Sequence, residues 1–306
     1  MSQIAWIGLG HMGAPMTANL VAAGHTVRGY DLSSAACEAA AANGVQIVSS
    51  IAKALDGAEA CFTSLPMPVH VHEVYSDEEG IWAHAAEGTL LLDTSTVDIA
   101  TSRWCHDESA ARGFAFVDSP ISGGTAGAEA HSLTFMLGGD PDATARAHTF
   151  VSAMAGHVID CGGPTSGIGS KLVNNMMLFI DMLAVAEGSQ LAEQLGLDQA
   201  VFWQVADSSS GQSWPQRTWW PAPGVVPTAA VNRNFDATFS VSLARKDCSL
   251  AVAAGQDAGV PLPAASLALA QLDELVARGL GDKDTSLMTL FAVPEGRPLR
   301  GYTPDE

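Results

Sequence analysis

The sequence predicts a doubly wound α/β domain with a mainly parallel sheet over residues 1–162, followed by an all-α domain over residues 163–306. Three observations carry this prediction. Short apolar runs alternate with helical patterns through the first half, which is typical of β-α-β units. Strand patterns nearly vanish after Gly196, whereas helical patterns continue. Between the halves one long apolar helical pattern runs up to Gly196, so we expect a long interdomain helix.

Composition and charge narrow the classes of protein that this chain fits. Its 306 residues suffice for two domains with sizeable cores. The formal net charge of −19 argues against binding to nucleic acid or to anionic membranes, because basic surfaces bind both. The five cysteines are dispersed without a C-x-x-C pair, which favours free thiols in a reducing compartment. With no run of 18 apolar residues and no basic leader before Ile4, we expect a soluble, cytoplasmic protein.

A glycine-rich turn follows the first predicted strand. Ile4–Ile7 has the pattern of a strand, Ala14–Ala23 that of a helix and Thr26–Tyr30 that of a second strand. The turn has the form G-x-G-x-x-G, and Asp31 follows its last glycine by 18 residues. This order and spacing predict a Rossmann-type dinucleotide site. The turn residues expected to bind the cofactor are Gly8, Leu9, Gly10, His11, Met12 and Gly13.

Each part of this motif has a physical reason. Gly8 allows the tight turn, Gly10 lets the backbone approach the pyrophosphate, and Gly13 lets helix and strand pack closely. The free amides at the helix N-terminus face the phosphates. Asp31 is expected to accept hydrogen bonds from the adenosine ribose and to repel a 2′-phosphate. Because the next residues, Leu32 and Ser33, offer no arginine to reverse that preference, we expect NAD rather than NADP.

Further strand ends supply candidates for the cofactor and substrate sites, since ligands of open parallel sheets bind beyond the carboxyl ends of the strands. Leu65 and Pro66 follow one predicted strand, and Ser95 and Thr96 follow another, so we expect these four to line the cofactor, although ordinary loop residues would look the same. The remaining predicted strands of this half are Ala60–Leu65, Thr89–Leu92, Phe114–Val117, Leu133–Leu137 and His157–Asp160.

A second glycine-containing turn follows Asp118. Ser122 and the consecutive amides of Gly123 and Gly124 form a pattern that suits an anion-binding nest for a carboxylate. A simple glycine turn explains the same residues equally well. We carry the three forward as candidate substrate-binding residues.

The long helix carries three polar residues near its start. Lys171, Asn174 and Asn175 stand at i, i+3 and i+4 and therefore share one face. The residues around them are almost all apolar, which predicts a helix buried on all sides, as the spine of a core or of an interface. A lone lysine there could extend to water, but a cation and two amides on a buried helix favour a small polar ligand.

The second half predicts helices and one long connection. The helical patterns are Ala200–Asp207, Ser242–Ala258, Ala264–Val276 and Ser286–Phe291. Between them Ser208–Phe235, rich in Pro, Gly, Ser and Trp, reads as an irregular loop that serves as a lid, as a subunit contact or simply as packing. Lys246 lies in a helical stretch that is mostly apolar on one face; it could approach the cofactor, and a solvated helix face is the alternative. His70 and His72 lack a third metal-type neighbour, so we expect surface histidines and no metal site.

Seven passages, IGLGHMGAPMTANLVAAGHTV, DTSTVD, DSPISGGTAGAEAHSLTFMLGG, GSKLVNN, SSSGQSW, PAPGVVPTAAVNRNF and LARKDCSLA, occur in this order along almost the whole chain. Together they resemble the β-hydroxyacid dehydrogenase family, and more closely its 3-hydroxyisobutyrate dehydrogenase branch. The resemblance implies that Lys171 is catalytic and that Asn175 holds the substrate. It further implies that Ser122, Gly123 and Gly124 bind the substrate carboxylate, while Thr96 and Lys246 contact NAD. Two departures are His131, where the family commonly has glycine, and Cys248, where leucine is usual.

The activity that this resemblance implies is NAD-dependent oxidation of 3-hydroxyisobutyrate to methylmalonate semialdehyde, in valine catabolism. Lys171 would exchange the hydroxyl proton, and burial would lower its pKa toward that of a useful general base. Alternatives are a related reductase for tartronate semialdehyde, 4-hydroxybutyrate or 3-hydroxypropionate, and a non-catalytic NAD-binding module. Lys171 argues against an imine reductase, and the short chain argues against a 6-phosphogluconate dehydrogenase. The apolar helix and the tryptophans suggest a homodimer or homotetramer.

Overall fold

The computed structural model describes residues 1–304, and its internal contacts divide the chain into two compact units. The first unit is Met1–Lys171 and the second begins at Leu172. A mainly parallel sheet with helices occupies the first unit, and helices occupy the second. The predicted fold class is therefore confirmed.

Within the described residues, the first unit contains one sheet of nine strands. The strands are β1 Gln3–Ile7, β2 Thr26–Tyr30, β3 Gln46–Ile47, β4 Ala60–Thr63, β5 Leu90–Asp93, β6 Ala115–Asp118, β7 Ile121–Ser122, β8 Leu133–Gly139 and β9 Ala155–Gly162. Their order is β3-β2-β1-β4-β5-β6-β8-β7, and β9 pairs with β8. The ladder from β3 to β6 is parallel, whereas β8 runs antiparallel to β6 and β7.

The central strands read as continuous apolar runs because both of their faces are covered. Every residue of β4 and β5 is buried, as are the last four residues of β1. β4 ends at Thr63, two residues earlier than the strand predicted to reach Leu65. The two-residue strands β3 and β7 were not predicted, because a pair of residues is too short to show a period.

Eight helices belong to the first unit of the described chain, and a ninth, α9, begins in it and continues into the second. They are α1 Gly13–Ala22, α2 Ser34–Ala41, α3 Ile51–Leu55, α4 Pro68–Ser76, α5 Ile81–His84, α6 Ile99–Ala111, α7 Gly124–Glu129, α8 Pro141–Val151 and α9 Ser166–Gln194. Local capping explains several of the starts: Ser33 accepts a hydrogen bond from the Ala36 amide, and Asp98 accepts one from the Thr101 amide. The sequence pattern predicts a helix from about Ile99 to Ala111, and the structure has α6 over the same range.

The second unit is helical. After α9 it contains α10 Gln199–Asp207, α11 Trp214–Thr218, a 3₁₀ helix at Ala230–Arg233, α12 Val241–Asp257, α13 Pro263–Ala277 and a 3₁₀ helix at Thr285–Ala292. The prediction of an irregular loop over Ser208–Phe235 is therefore partly wrong, since α11 and one 3₁₀ helix lie inside it. Sequence patterns missed α11 because its five residues complete barely more than one turn.

The tryptophan-rich segment belongs to the core of the second unit. Trp219 and Trp220 are buried, and the Trp220 indole N–H donates to the side-chain oxygen of Gln199 at 3.0 Å. The Trp203 indole N–H donates to the Gln216 carbonyl at 2.9 Å, which ties α10 to α11. Of the three roles considered for this segment, packing is the one that these contacts support.

Within the single chain, the long helix α9 is buried on one face and exposed on another. Phe179, Met182 and Leu183 lie in the core of the second unit, but Val173 and Met177 are each 57% exposed. By length and composition α9 is also the one described helix that could cross a membrane, although core helices of water-soluble proteins pass the same test.

Candidate active site

The G-x-G-x-x-G turn joins β1 to α1 with the geometry that the motif requires. Gly8 has φ +98°, and the Trp6 indole N–H donates to its carbonyl at 2.8 Å. A Cβ on Gly13 would lie 2.1 Å from that same carbonyl oxygen, so only glycine fits. A Cβ on Gly10 would meet no protein atom within 4 Å. Space is therefore open beside Gly10, where a pyrophosphate would approach the backbone.

Asp31 lies at the end of β2, beside this turn. One of its carboxylate oxygens accepts the Leu9 amide at 2.6 Å, and the other accepts the Ser33 amide at 2.7 Å. A carboxylate offers about four acceptor positions, so two amides leave capacity for ribose hydroxyls. Leu32 is 91% exposed and supplies no positive charge for a 2′-phosphate. The residues of the turn and Asp31 fit NAD.

A buried hydrogen-bond network joins the ends of β4 and β5. The Ser95 hydroxyl accepts the Leu65 amide at 2.8 Å and donates to Asp93 Oδ1 at 2.6 Å. Asp93 Oδ1 also accepts the Thr63 hydroxyl at 2.7 Å. Burial raises the pKa of the Asp93 carboxyl above its ordinary value, and the hydrogen bonds from Ser95 and Thr63 offset part of that rise. The structure thus brings Leu65 and Ser95 together, although Pro66 is exposed.

The Ser122–Gly124 turn joins β7 to α7. Ser122 is half-buried and ends β7, while Gly123 and Gly124 are exposed. Both glycines have positive φ, +132° and +64°, so side chains would be strained at either position. The two glycines lie at the start of α7, and a carboxylate site at their amides stays a prediction.

Lys171 lies on the second turn of α9, because the helix begins at Ser166 rather than near the lysine. Its side chain is 7% exposed, so it does not extend freely to water. A lysine held at this level of burial is a candidate proton carrier rather than a surface charge.

One turn further on, Asn175 is held by a partner from α12. Its amide nitrogen donates to Asp247 Oδ2 at 2.9 Å, and its own oxygen accepts from Asn174 at 3.3 Å. Asp247 Oδ1 lies 3.0 Å from the Lys246 ammonium nitrogen. Asn175 and Asp247 are both nearly fully buried, whereas Asn174 is exposed. This contact therefore brings together Asn175 and Lys246, two residues that the sequence nominated separately.

Three buried aspartates, Asp93, Asp118 and Asp247, escaped the sequence analysis as site residues. Asp93 and Asp118 end β5 and β6, and Asp247 follows Lys246. The rule that nominated Ser95 and Ser122, proximity to a strand end, applied to Asp93 and Asp118 as well. Each accepts hydrogen bonds from a residue or segment that was nominated.

The expectation of two surface histidines is wrong for His72. Its ring stacks on Trp104 with centroids 4.0 Å apart, and its Nε2 lies 3.3 Å from the Thr101 hydroxyl. In residues 1–304, no group of three or more metal-type side chains is found.

Together, the glycine turn that fits NAD and the buried lysine on α9 define a class: nicotinamide-dependent oxidoreductases built from a dinucleotide-binding unit and a helical unit. Comparison with known families agrees. Residues 3–163 match the NAD-binding domain of 6-phosphogluconate dehydrogenase, and residues 165–291 match the NAD-binding family of NADP-dependent 3-hydroxyisobutyrate dehydrogenase. The chain belongs to the β-hydroxyacid dehydrogenase family, close to the 3-hydroxyisobutyrate dehydrogenases.

Similar proteins span nearly the whole chain. An NAD-dependent L-serine dehydrogenase of Pseudomonas aeruginosa is 38% identical over 97% of this chain and all of its own length. A 3-hydroxyisobutyrate dehydrogenase of the same organism is 37% identical over 88% of this chain and 90% of its own. The solved structure of Mycobacterium tuberculosis 3-hydroxyisobutyrate dehydrogenase with L-serine has a TM-score of 0.88 and 38% identity, covering 95% of this chain and 99% of that one.

Proposed function

We propose that this chain oxidises the hydroxyl group of a short 3-hydroxy acid with NAD, and that the substrate is 3-hydroxyisobutyrate, which yields methylmalonate semialdehyde. The observation that carries the proposal is the buried Lys171, followed one turn later by a buried Asn175, in a chain with a complete NAD turn. Relatives named 3-hydroxyisobutyrate dehydrogenase, 35–40% identical, support the substrate.

In this proposal each residue of the site has a role that follows from its chemistry. Bound NAD would accept the hydride from the carbinol carbon. Lys171 takes the hydroxyl proton as the general base, since it is the buried amine of the proposed site. Asn175 offers an amide held by Asp247 to orient the substrate, and the Ser122–Gly124 turn holds its carboxylate. Leu65, Ser95 and Thr96 border the cofactor in this proposal.

Replacement of the lysine tests the central role. We expect Lys171→Ala to fold and to bind NADH but to lose roughly 10²–10⁴-fold in kcat, the usual range for a removed acid or base. Lys53→Ala is the matched control, because Lys53 is an exposed lysine of the same unit. Rates are followed by NADH absorbance. A kcat for Lys171→Ala equal to that of Lys53→Ala would exclude Lys171 as the proton carrier.

L-Serine is a second candidate substrate, supported by the L-serine dehydrogenase relative and by the serine-containing structure described above. Serine and 3-hydroxyisobutyrate share the carboxylate and the primary hydroxyl, and differ in an ammonium where the other has a methyl. The shared groups are those assigned to the Ser122–Gly124 turn and Lys171. The selectivity between the substrates therefore depends on what surrounds the substituent at the middle carbon.

A substrate panel separates the candidates. It compares kcat/KM for 3-hydroxyisobutyrate, L-serine, 3-hydroxypropionate and 4-hydroxybutyrate with NAD, and for tartronate semialdehyde with NADH. Our proposal expects the highest value for 3-hydroxyisobutyrate; a higher value for L-serine would reassign the substrate within the same mechanism. The absence of turnover on every compound, with NADH binding intact, would favour a non-catalytic NAD-binding module.

We also propose that the chain is a homodimer or homotetramer that functions in the cytoplasm, in valine catabolism. The exposed face of α9 supports association, because Val173, Met177 and Leu191 are each more than half exposed there. Large apolar side chains aligned on one helix face favour burial against a partner. Light scattering tests this: Met177→Glu should shift the protein toward a monomer without changing its far-ultraviolet circular dichroism, whereas a monomeric wild type would refute it.

A further inference from the structure

A buried carboxylate meets the start of the lysine-bearing helix. Asp118 ends β6 and is 3% exposed. Its Oδ1 accepts the Thr165 amide at 3.0 Å, and its Oδ2 accepts the Ile168 amide at 2.7 Å. Amides at the start of a helix have no partner within the helix, and the positive end of the helix dipole favours an anion. Asp118 therefore caps α9 from a strand that is far away in the sequence.

His106 supports this carboxylate. It lies on α6, is 8% exposed, and its Nε2 is 2.7 Å from Asp118 Oδ1. An ionised carboxylate only accepts hydrogen bonds, so we assign Nε2 as the N–H donor. The Thr165 amide lies farther from Nε2, at 3.4 Å, and belongs to Asp118. Three N–H donors thus converge on one buried anion and offset the loss of its hydration.

The helix start has no room to slide along the sheet. A Cβ on Gly167 would lie 2.4 Å from the Met136 carbonyl oxygen and 2.6 Å from that of Asp118. A Cβ on Gly138 would lie 2.5 Å from the Gly167 nitrogen. The backbones of α9, β6 and β8 are therefore in direct contact, and a small shift of the helix would break the contact or cause a clash.

Thr165, the residue before α9, is in a strained conformation. Its φ is +70°, a region that β-branched residues rarely occupy. Such a conformation persists only where the surrounding contacts enforce it. The Thr165 amide is one of the two that Asp118 binds, so the carboxylate holds the strained residue in place.

Asp118 connects the two parts of the proposed site that lie in the first unit, which are Lys171 and the Ser122–Gly124 turn. Through its carboxylate it holds Ile168, and Lys171 follows three residues later on the same side of the helix. Through its backbone it begins the segment that leads to Ser122. We infer that Asp118, supported by His106, is the positioning residue for Lys171, setting the distance between its ammonium group and the Ser122–Gly124 turn. This inference rests on the proposed function.

The test replaces the carboxylate with the isosteric amide. The two oxygens of Asp118 each accept a backbone amide of the helix start, from Thr165 and from Ile168. In Asp118→Asn one of these oxygens becomes an NH₂ group, which cannot accept a hydrogen bond, so the helix start must shift. A displacement of about 1 Å can cost about 10²-fold in rate. We expect kcat to fall roughly 10- to 100-fold with 3-hydroxyisobutyrate or L-serine as the probe, while KM and the Kd for NADH stay within about threefold. Asp140→Asn is the matched control, because Asp140 caps α8 in the same unit and asparagine caps equally well.

A double-mutant cycle separates positioning of Lys171 from a structural role. In a Lys171→Ala background Asp118→Asn should lower the residual rate less than twofold, because the positioned group is gone. An equal fold-loss with and without Lys171 would overturn the inference. If Asp118→Asn does not fold, His106→Asn takes its place, with an expected loss in kcat of about 3- to 10-fold and the same dependence on Lys171.

The outcomes distinguish this inference from the proposed function. A wild-type protein with no turnover on either probe would refute the proposed function and, with it, the positioning role. An active wild type whose Asp118→Asn and His106→Asn variants keep full kcat would refute the positioning role alone.

Discussion

We expect replacement of Gly10 by alanine to weaken NADH binding while leaving the stability of the fold almost unchanged. A Cβ at this position meets no protein atom within 4 Å, and its φ lies outside the left-handed region that strains other residues. The fold should therefore tolerate alanine, with a change in the thermal midpoint of about 2 °C or less, since 1 kcal/mol shifts it by about 2–4 °C in a large domain. The added methyl group does, however, fill the space where the pyrophosphate approaches the backbone.

The loss of affinity follows from the contacts that the methyl group prevents. A hydrogen bond from a backbone amide to a charged phosphate contributes about 1.5–3 kcal/mol. Since about 1.4 kcal/mol corresponds to a tenfold change in Kd, loss of one such bond weakens NADH binding roughly 10- to 150-fold. Gly13→Ala should behave differently, because its Cβ would lie 2.1 Å from a backbone oxygen that cannot rotate away. That variant should unfold at a clearly lower temperature.

The assay combines NADH fluorescence titration with thermal unfolding of each variant. Gly163→Ala is the control, because its Cβ also meets open space and it lies outside the turn. We expect the control to match the wild type in both measurements. If Gly10→Ala bound NADH with wild-type affinity, the phosphates would not lie against this turn, and the assignment of Gly8–Gly13 would be refuted.

Two further predictions concern stability. Burial raises the pKa of Asp93, so ionisation is disfavoured in the folded state; the resulting penalty is absent below the unfolded pKa and grows as pH rises through the folded pKa. Asp93→Asn should therefore raise the thermal midpoint relative to wild type most at pH 8 and least near pH 4, and an equal difference at both pH values would contradict this. His131 has φ +55° and its Nδ1 lies 3.2 Å from the Ala153 carbonyl. His131→Gly should change the free energy of unfolding by about 1 kcal/mol or less, whereas His131→Val should cost more, and equal midpoints for the two variants would be inconsistent with the strained backbone.

His131, where the family commonly has glycine, has φ +55°, in the left-handed region that glycine adopts freely. The turn before β8 therefore has a residue with positive φ at this position.

Local patterns predicted those parts of the fold that local physics controls. The G-x-G-x-x-G turn, the range of α6 and the carboxyl ends of β1 and β2 were found because glycine conformations and hydrophobic periods act over a few residues. The two-residue strands β3 and β7 and the five-residue helix α11 were not found, because each is too short to show a hydrophobic period. Which face of α9 is exposed could not be predicted, since composition does not say which side of an apolar helix is covered within the chain.

The sequence by itself determined the fold class, the NAD turn and the identity of Lys171 and Asn175 as candidates, since each depends on spacing along the chain. The tertiary structure decided what holds them. Asn175 is oriented by Asp247, 72 residues away, and the start of α9 is capped by Asp118, 47 residues before Thr165. Buried carboxylates must find donors wherever the fold brings them, so their partners are set by packing and not by spacing along the chain.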